Sequence, residues 1–307
     1  IRANREKPGL MRQHLTAVEA AAKVGRAKVE GAELRSSSLT FIPGDVEHGD
    51  YDFDVGTAGS VTLVFQTILP GLLCRPGKSA FVLKGGTHNP LAPSYDFLEK
   101  TFLPILGRMG IHYEIKLDRY GFYPRGGGEI RGSIESPGKL VPHDLIDRGP
   151  VQSIRVRAAV ADLARHIAER EIKVIKRKFR LSPRDTEILE LPPAWGPGNV
   201  VWVEIQSACL TEVFTGFGQR GIRAEHVAHT AAKEADEYLS SGVSVGPHLA
   251  DQLLIPLALA GGGSFLTSAL TDHARTNIEV IQRFMKVRFG ICETAPNQTL
   301  VTVQKSF

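Results

Sequence analysis

The feature that most constrains this chain is an alternation of helical and strand-like segments along its whole length. Apolar residues recur at helical spacing from Gly9 to Val24, and a second apolar helix is predicted from about Val61 to Leu73. Short apolar runs bounded by glycine and proline separate such helices, and this pattern is typical of strands. The sequence therefore predicts an α/β (α+β) fold.

The alternation also suggests a repeat with an insertion. A rhythm of two helices to several short strands occurs before Glu135 and again after Gly242. Proline and glycine clusters flank the stretch between, which has its own strands and helices. We predict a large repeat domain formed by residues 1–148 and 241–307, and a smaller α/β domain inserted at 149–240.

Composition excludes several classes of protein. Apolar residues make up 42% of the chain and charged residues 23%, as in a soluble, well-packed protein. Cys74, Cys209 and Cys292 form no CxxC pair, which argues against a disulfide framework or a zinc site and favours a reducing, cytoplasmic location. The longest apolar stretch, Val61 to Cys74, falls short of the ~20 residues that cross a bilayer, so no membrane partner is expected.

Positive charge is concentrated near the start of the chain. Residues 1–35 carry eight basic and four acidic side chains, and this excess equals the net charge of +4 of the whole protein. A second basic run occupies Lys173–Arg180. Either cluster could contact phosphates, and a solvated helix face explains the second run equally well.

His273 is the first candidate for chemistry. It precedes Thr276-Asn-Ile-Glu279, which matches a capping box and predicts Thr276 as the N-cap of a helix. The imidazole would then lie near the positive end of the helix dipole, which favours the neutral, nucleophilic ring. Position alone favours an ordinary histidine in a surface loop.

Asp251 and Gln252 are further candidates. Pro247 suits the first turn of a helix, so both side chains fall in the early turns of a very hydrophobic helix. They could reach into a ligand site, or Asp251 could simply complement the helix dipole.

Three glycine-rich segments are weaker signals. Gly56–Ser60 and Gly85–Pro93 could bind phosphate through backbone N–H groups or could be ordinary turns, and neither is a Walker A loop. Tyr123–Glu129 is predicted to be a bulged turn between strands. His226 and His229 lack a third metal ligand nearby, and no G-x-S-x-G elbow supports a serine hydrolase.

Taken in order along the chain, these segments resemble the RNA 3′-terminal phosphate cyclase family. Each motif is short, but the ordered set is specific and covers nearly the whole chain. The matching segments are Ile1-Arg-Ala-Asn-Arg5, Lys7-Pro-Gly-Leu10, Gln13-His14-Leu15, Gly56-Thr-Ala-Gly-Ser60 with Gln66, Lys84-Gly-Gly-Thr87, Gly121-Phe-Tyr-Pro-Arg-Gly-Gly-Gly-Glu129, His248-Leu-Ala-Asp-Gln252, and His273 ahead of Thr276-Asn277.

The resemblance implies repeated units of two helices and a four-stranded sheet, like the C-terminal domain of translation initiation factor three, with a smaller inserted domain. It also implies a ligase-type enzyme that uses ATP. His273 would attack the α-phosphorus to form a histidyl-adenylate. The adenylate would pass to an RNA 3′-terminal phosphate, and the 2′-OH would then close a 2′,3′-cyclic phosphate.

Site roles follow from the resemblance, position by position. Residues implied to surround the adenylate are Gln66, Pro93, His248, Asp251 and Gln252. Residues implied to contact phosphates of ATP or RNA are Arg2, Arg5 and Gln13.

A divalent metal, Mg²⁺ or Mn²⁺, is implied as a cofactor. The family carries a Gly-Glu-Gly-Gly-Gly-Gln stretch whose Glu is a metal ligand. We expect it ahead of Ile1, where this chain begins without a methionine, so the first repeat is incomplete and the metal ligands are unassigned. His248 stands where bacterial members commonly have Tyr, and its planar ring preserves a surface for stacking on adenine.

Two other functions remain open at this point. One is a non-catalytic cyclase-like protein that binds RNA in ribosome biogenesis, although such relatives lack the nucleophilic histidine present here as His273. The other is an enolpyruvyl transferase, which would share the repeats but not the His248–Gln252 segment. The physiological RNA and the oligomeric state are undetermined by the sequence.

Overall fold

The computed structural model describes residues 1–192 and 196–306, which form two compact units. The first unit comprises Ile1–Tyr95, Ile111–Lys139 and Pro192–Gly198. The second comprises Asp96–Gly110, Leu140–Leu191 and Asn199–Phe307. Each unit mixes helices and sheets, so the predicted α/β class is confirmed.

The first unit is built on a four-stranded sheet with the order β3-β4-β6-β5. Strand β3 pairs in parallel with β4, and the other two pairings are antiparallel. Alternate residues of β3 are buried, as expected for a strand with one covered face. Its strands are β3 (Asp50–Asp54), β4 (Pro76–Gly85), β5 (His112–Arg119) and β6 (Gly128–Pro137), and a separate two-stranded sheet pairs β1 (Lys28–Glu30) with β2 (Thr40–Ile42).

Two helices accompany the sheet of the first unit: α1 (Arg12–Val24) and α2 (Val61–Leu73) pack against each other, and α2 also contacts β4 and β6. Helix α2 begins at Ser60, whose hydroxyl accepts a hydrogen bond from the Leu63 N–H. Helix α1 begins three residues later than the predicted Gly9, because Gly9 has a φ of +79° and its N–H is bonded to Ile1.

The second unit contains a sheet with the order β13-β14-β12-β7. Its strands are β7 (His143–Leu145), β12 (Gly262–Thr267), β13 (Val287–Ala295) and β14 (Gln298–Lys305), accompanied by α7 (Pro247–Ala260) and α8 (Asp272–Phe284). Parallel pairing of β7 with β12 is followed by antiparallel pairing of β12 with β14 and of β14 with β13.

This pattern of pairings equals that of β3, β4, β6 and β5, and confirms the predicted repeat. In chain order, the place of α8 between β12 and β13 corresponds in the first copy to the segment between β4 and β5. This segment forms α3 (Tyr95–Phe97), a π-helical turn (Leu98–Phe102) and α4 (Leu103–Arg108), and its residues Asp96–Gly110 belong to the second unit.

A second sheet in the same unit has the order β11-β10-β8-β9. Its strands are β8 (Val151–Ala161), β9 (Thr186–Glu190), β10 (Gly198–Ser207) and β11 (Thr211–Phe217), and it packs against α5 (His166–Phe179) and α6 (Ala224–Ser241) around a shared apolar core. These elements fall within the predicted insertion at 149–240. Since this sheet and the sheet that contains β7 and β12 belong to one compact unit, the separate domain and its boundaries stay a prediction.

Two short strands, β7 and β9, were not predicted from the sequence. Both are parallel edge strands of three and five residues, too short for periodicity to reveal. The prolines of Leu191–Gly198 predict a turn there, and residues 193–195 of that segment lie outside the described residues. In the described part of the chain, no helix is both long and apolar enough to cross a membrane.

Candidate active site

Helix α7 carries three of the predicted site residues: His248, Asp251 and Gln252. Pro247 occupies its first turn, as predicted, and Gly246 is its N-cap. Four leucines of the helix are buried, and each contributes about 1.5–3 kcal/mol to folding. They are Leu249, Leu253, Leu254 and Leu257.

Helix α8 carries His273, and the predicted start of this helix is wrong. The N-cap is Thr271, whose hydroxyl accepts a hydrogen bond from the Ala274 N–H at 3.1 Å. Thr276 lies inside the helix and donates its hydroxyl to the Asp272 carbonyl, four residues back. His273 is therefore in the first turn rather than in a preceding loop. This location keeps it beside the free N–H groups of the helix start.

His273 and Asp251 form a direct pair between α8 and α7. The His273 Nδ1 lies 3.0 Å from Asp251 Oδ2, while Asn277 Nδ2 donates to Asp251 Oδ1 at 3.1 Å. The His273 side chain is 82% exposed and that of Asp251 only 12%. A buried carboxylate thus holds an exposed imidazole, and Asn277 holds the carboxylate.

This geometry specifies the chemistry available to the ring. When neutral His273 donates its Nδ1–H to Asp251, the other nitrogen, Nε2, carries a lone pair. A nucleophile oriented by a hydrogen-bonded acid is a recurring arrangement in covalent catalysis. The carboxylate also stabilises the positive charge that develops on the ring when Nε2 forms a bond.

His248 lies at the outer face of α7, with 72% of its side chain exposed. Its Nε2 is 3.6 Å from Glu234 Oε2 on α6, and this carboxylate is the main cause that raises the pKa of His248, against an opposing effect of desolvation. Gln252 is half-buried on the same helix. The second unit therefore contains His248, Asp251, Gln252 and His273, of which Asp251 and His273 are in direct contact.

The remaining predicted site residues, Arg2, Arg5, Gln13, Gln66 and Pro93, belong to the first unit. Gln13 on α1 accepts a hydrogen bond from the Ser60 N–H at 3.1 Å, which ties it to the Gly56–Ser60 loop. The Arg2 Nη1 donates to the carbonyls of Lys7 at 2.6 Å and Gly9 at 3.0 Å.

Three further residues of this set have simpler surroundings. The Pro93 carbonyl accepts from Thr62 Oγ1 at 2.8 Å, Gln66 is half-buried on α2, and Arg5 is exposed. Within the first unit, Gln13 and Pro93 each accept a hydrogen bond from the start of α2. Arg2 donates hydrogen bonds within the segment that precedes α1.

The three glycine-rich segments, considered separately in the sequence, interlock in the first unit. The Gly86 N–H donates to Gly59 at 2.9 Å, and the Thr87 N–H donates to Gly121 at 2.9 Å. A Cβ on Gly126 would lie 2.6 Å from the Thr57 carbonyl oxygen, so that turn requires glycine. In the sequence, the sign of these contacts was that all three segments contain glycines, which allow backbones to approach closely. No single segment showed that the three lie together.

Within residues 1–192 and 196–306, no group of three or more His, Cys, Asp or Glu side chains could hold a metal ion. The ligands of the implied divalent metal stay unassigned.

The fold and this site define an α/β protein that presents an exposed histidine oriented by a buried aspartate. Comparison with known proteins gives the family: a profile described as RNA 3′-terminal phosphate cyclase matches residues 1–291. The chain belongs to the RNA 3′-terminal phosphate cyclase family, and the predicted family and class of enzyme are confirmed.

Individual relatives agree with the profile. A protein of Koribacter versatilis named RNA 3′-terminal phosphate cyclase is 53% identical over 293 residues, covering 95% of this chain and 82% of its own length. Proteins of the same name from Pseudomonas fluorescens and Ectopseudomonas mendocina are 50% and 46% identical, covering 94% and 99% of this chain and 84% and 88% of their own lengths.

Proposed function

We propose that this protein converts an RNA 3′-terminal phosphate to a 2′,3′-cyclic phosphate with ATP, through a covalent adenylate on His273. The observation that carries the proposal is the exposed His273 imidazole bonded to buried Asp251 at 3.0 Å. Membership of the RNA 3′-terminal phosphate cyclase family supports the substrate and product.

In the first step, Nε2 of His273 attacks the α-phosphorus of ATP. An N–P bond forms, the bond from the α-phosphorus to the bridging oxygen breaks, and pyrophosphate leaves. Asp251 keeps Nδ1 protonated and offsets the positive charge on the ring. The start of α8 adds backbone N–H donors beside the new phosphate group.

The second and third steps move the adenylate and release it. An oxygen of the RNA 3′-phosphate attacks the adenylate phosphorus, the N–P bond breaks and His273 is regenerated with its Nε2 lone pair. The adjacent 2′-OH then attacks the RNA phosphorus, loses its proton to solvent, and displaces AMP. Because nucleophile and phosphorus belong to one ribose, proximity favours closure.

The other predicted residues have supporting roles in this proposal. The family resemblance assigns Gln66, Pro93, His248 and Gln252 to the adenylate. In this proposal the planar His248 ring offers a surface for stacking on adenine. Arg2, Arg5 and Gln13 are assigned to phosphates of ATP or RNA.

A divalent metal and a cytoplasmic location also remain part of the proposal. A metal of this kind neutralises phosphate charge when bound, and we assign no step to it. Free cysteines at Cys74, Cys209 and Cys292 are consistent with a reducing compartment.

The proposal is tested with α-labelled ATP. The protein should acquire label that is stable in base and labile in acid, as expected for an N–P bond. Addition of an oligoribonucleotide with a 3′-phosphate should discharge the label as AMP and yield a cyclic phosphate, whereas a 3′-OH oligonucleotide should not. Label on a lysine, or no label at all, would contradict the proposal.

The basic run on α5 gives a prediction about RNA contacts. Lys178 is already paired with Asp236 on α6 at 2.7 Å, which is typical of a solvated helix face. We expect Lys176→Glu with Lys178→Glu to leave cyclisation of a short oligonucleotide within a few-fold of the unmodified protein. A matched pair in the N-terminal segment, Arg5→Glu with Lys7→Glu, should weaken RNA binding and lower its salt dependence by about one ion for each lost phosphate contact.

Circular dichroism should first show that both double variants are folded. A hundredfold loss of cyclisation in the α5 variant, with normal folding, would show instead that this helix contacts the RNA.

A further inference from the structure

A buried carboxyl group lies at the start of α7. Glu212 on β11 is only 2% exposed, and its Oε1 accepts a hydrogen bond from the Gly246 N–H at 2.6 Å. Buried acids are rare unless a specific partner holds them. This contact joins the β11-β10-β8-β9 sheet to the helix that carries Asp251.

The contact between Glu212 and Gly246 leaves little room for a side chain at position 246. A Cβ on Gly246 would lie 3.1 Å from Glu212 Oε1 and 3.4 Å from its Cδ. The φ of Gly246 is −70°, which any residue can adopt, so space rather than backbone conformation favours glycine here. The carboxyl group of Glu212 therefore packs directly on the N-cap of α7.

The position of that N-cap governs the geometry of the candidate nucleophile. Asp251 follows Gly246 by five residues on the same helix, and its carboxylate is 3.0 Å from His273 Nδ1. A shift of the first turns of α7 would move this carboxylate relative to the imidazole. Displacements of about 1 Å near a reacting group can cost about 10²-fold in rate.

We propose that Glu212 is a positioning residue, which fixes the start of α7 so that Asp251 holds His273 in its reactive orientation. This inference rests on the proposed function. Glu212 does not itself contact the imidazole, so its effect passes through Gly246 and α7.

The protonation state of Glu212 gives this role a pH dependence. Burial is the main cause that raises the pKa of Glu212 to about 8, opposed by the Gly246 N–H and by His248. The ionisable groups that act on Glu212 are His248 on α7 and Tyr238 on α6.

The sign of the effect follows from burial. Because the folded protein favours the neutral acid, Glu212 contributes fully to stability at pH values below its ordinary pKa of 4.5. This contribution is lost as the pH rises through about 8, the pKa of Glu212 in the folded protein. Above that pH, a buried carboxylate favours opening of the contact with α7.

The test compares two replacements of Glu212 with two matched replacements elsewhere. Glu212→Gln keeps an oxygen acceptor, and Glu212→Leu removes it at similar volume. Glu171 on α5 is the control, because it is equally buried in the same unit and accepts a hydrogen bond from Asn199 at 2.9 Å. Rates of adenylylation at saturating labelled ATP and melting temperatures are measured for all four variants.

At pH 7 we expect Glu212→Gln to react within about threefold of the unmodified protein and Glu212→Leu to be slowed by about tenfold or more. Glu171→Gln and Glu171→Leu should change the melting temperature with little change in this rate. Between pH 7 and 9, the rate of the unmodified protein should decline, and Glu212→Gln should remove that decline.

Equal slowing by Glu171→Leu would overturn the positioning role, as would an unchanged rate in Glu212→Leu. If Glu212→Leu does not fold, the pH comparison decides: the same decline in Glu212→Gln as in the unmodified protein overturns the proposal. Failure of the unmodified protein to form any adenylate would contradict the proposed function instead, so the two failures are distinguishable.

Discussion

His273→Ala is expected to abolish formation of the covalent adenylate and, with it, cyclisation from ATP. Alanine has no nitrogen to attack phosphorus, and His273→Asn should fail too, because an amide nitrogen is not nucleophilic. Both proteins should fold normally, since His273 is 82% exposed in the first turn of α8 and the N-cap Thr271 is retained. Mass spectrometry after digestion in mild base should place a single AMP on the His273 peptide of the unmodified protein only.

His229→Ala is the matched control for this experiment. His229 is an exposed histidine on α6 in the same unit, outside the proposed site, and its replacement should leave labelling unchanged. Undiminished label in His273→Ala would refute the covalent mechanism and return the protein to the class of non-catalytic binding proteins.

Asp251→Ala should slow adenylylation by about 10²-fold while leaving a detectable histidyl-adenylate. The nucleophile survives this change, but its orientation and the charge that stabilises the ring do not. Asp251→Asn should be at least as slow. An amide that presents its NH₂ to Nδ1 favours the tautomer with the proton on Nε2, and this removes the attacking lone pair.

Single-turnover rates with labelled ATP measure both variants. Asp272→Asn is the control, because Asp272 is an exposed acid beside His273 in the first turn of α8. It should react within about threefold of the unmodified protein. Equal losses in Asp251→Asn and Asp272→Asn would show that general charge near the helix start, rather than the Asp251–His273 contact, controls the reaction.

Local sequence pattern accounted for most of the helices and for the long strands. Apolar residues predicted α2 from Val61 to Leu73 and the end of α1 at Val24, and Pro247 correctly located the start of α7. These elements are specified locally, because each buries one face and carries its own capping or turn residues.

Local pattern was insufficient at the start of α8. The sequence predicted Thr276 as the N-cap of α8, because Glu279 completes a capping box. In the structure the helix begins one turn earlier, and Ala274 and Ile278 are buried along it as α8 packs against α7. Because Thr271 caps the observed start, the longer helix buries this face without losing an N-cap, which is worth about 1 kcal/mol.

By itself, the sequence determined the family, the α/β class and the identities of the candidate residues. These properties reside in residue types and in their order along the chain. Tertiary structure alone decided that Asp251 contacts His273, that Glu212 reaches Gly246, and that the glycine-rich segments interlock. Such contacts join residues separated by more than 20 positions, and they depend on how strands pair and helices pack, which no local spacing encodes.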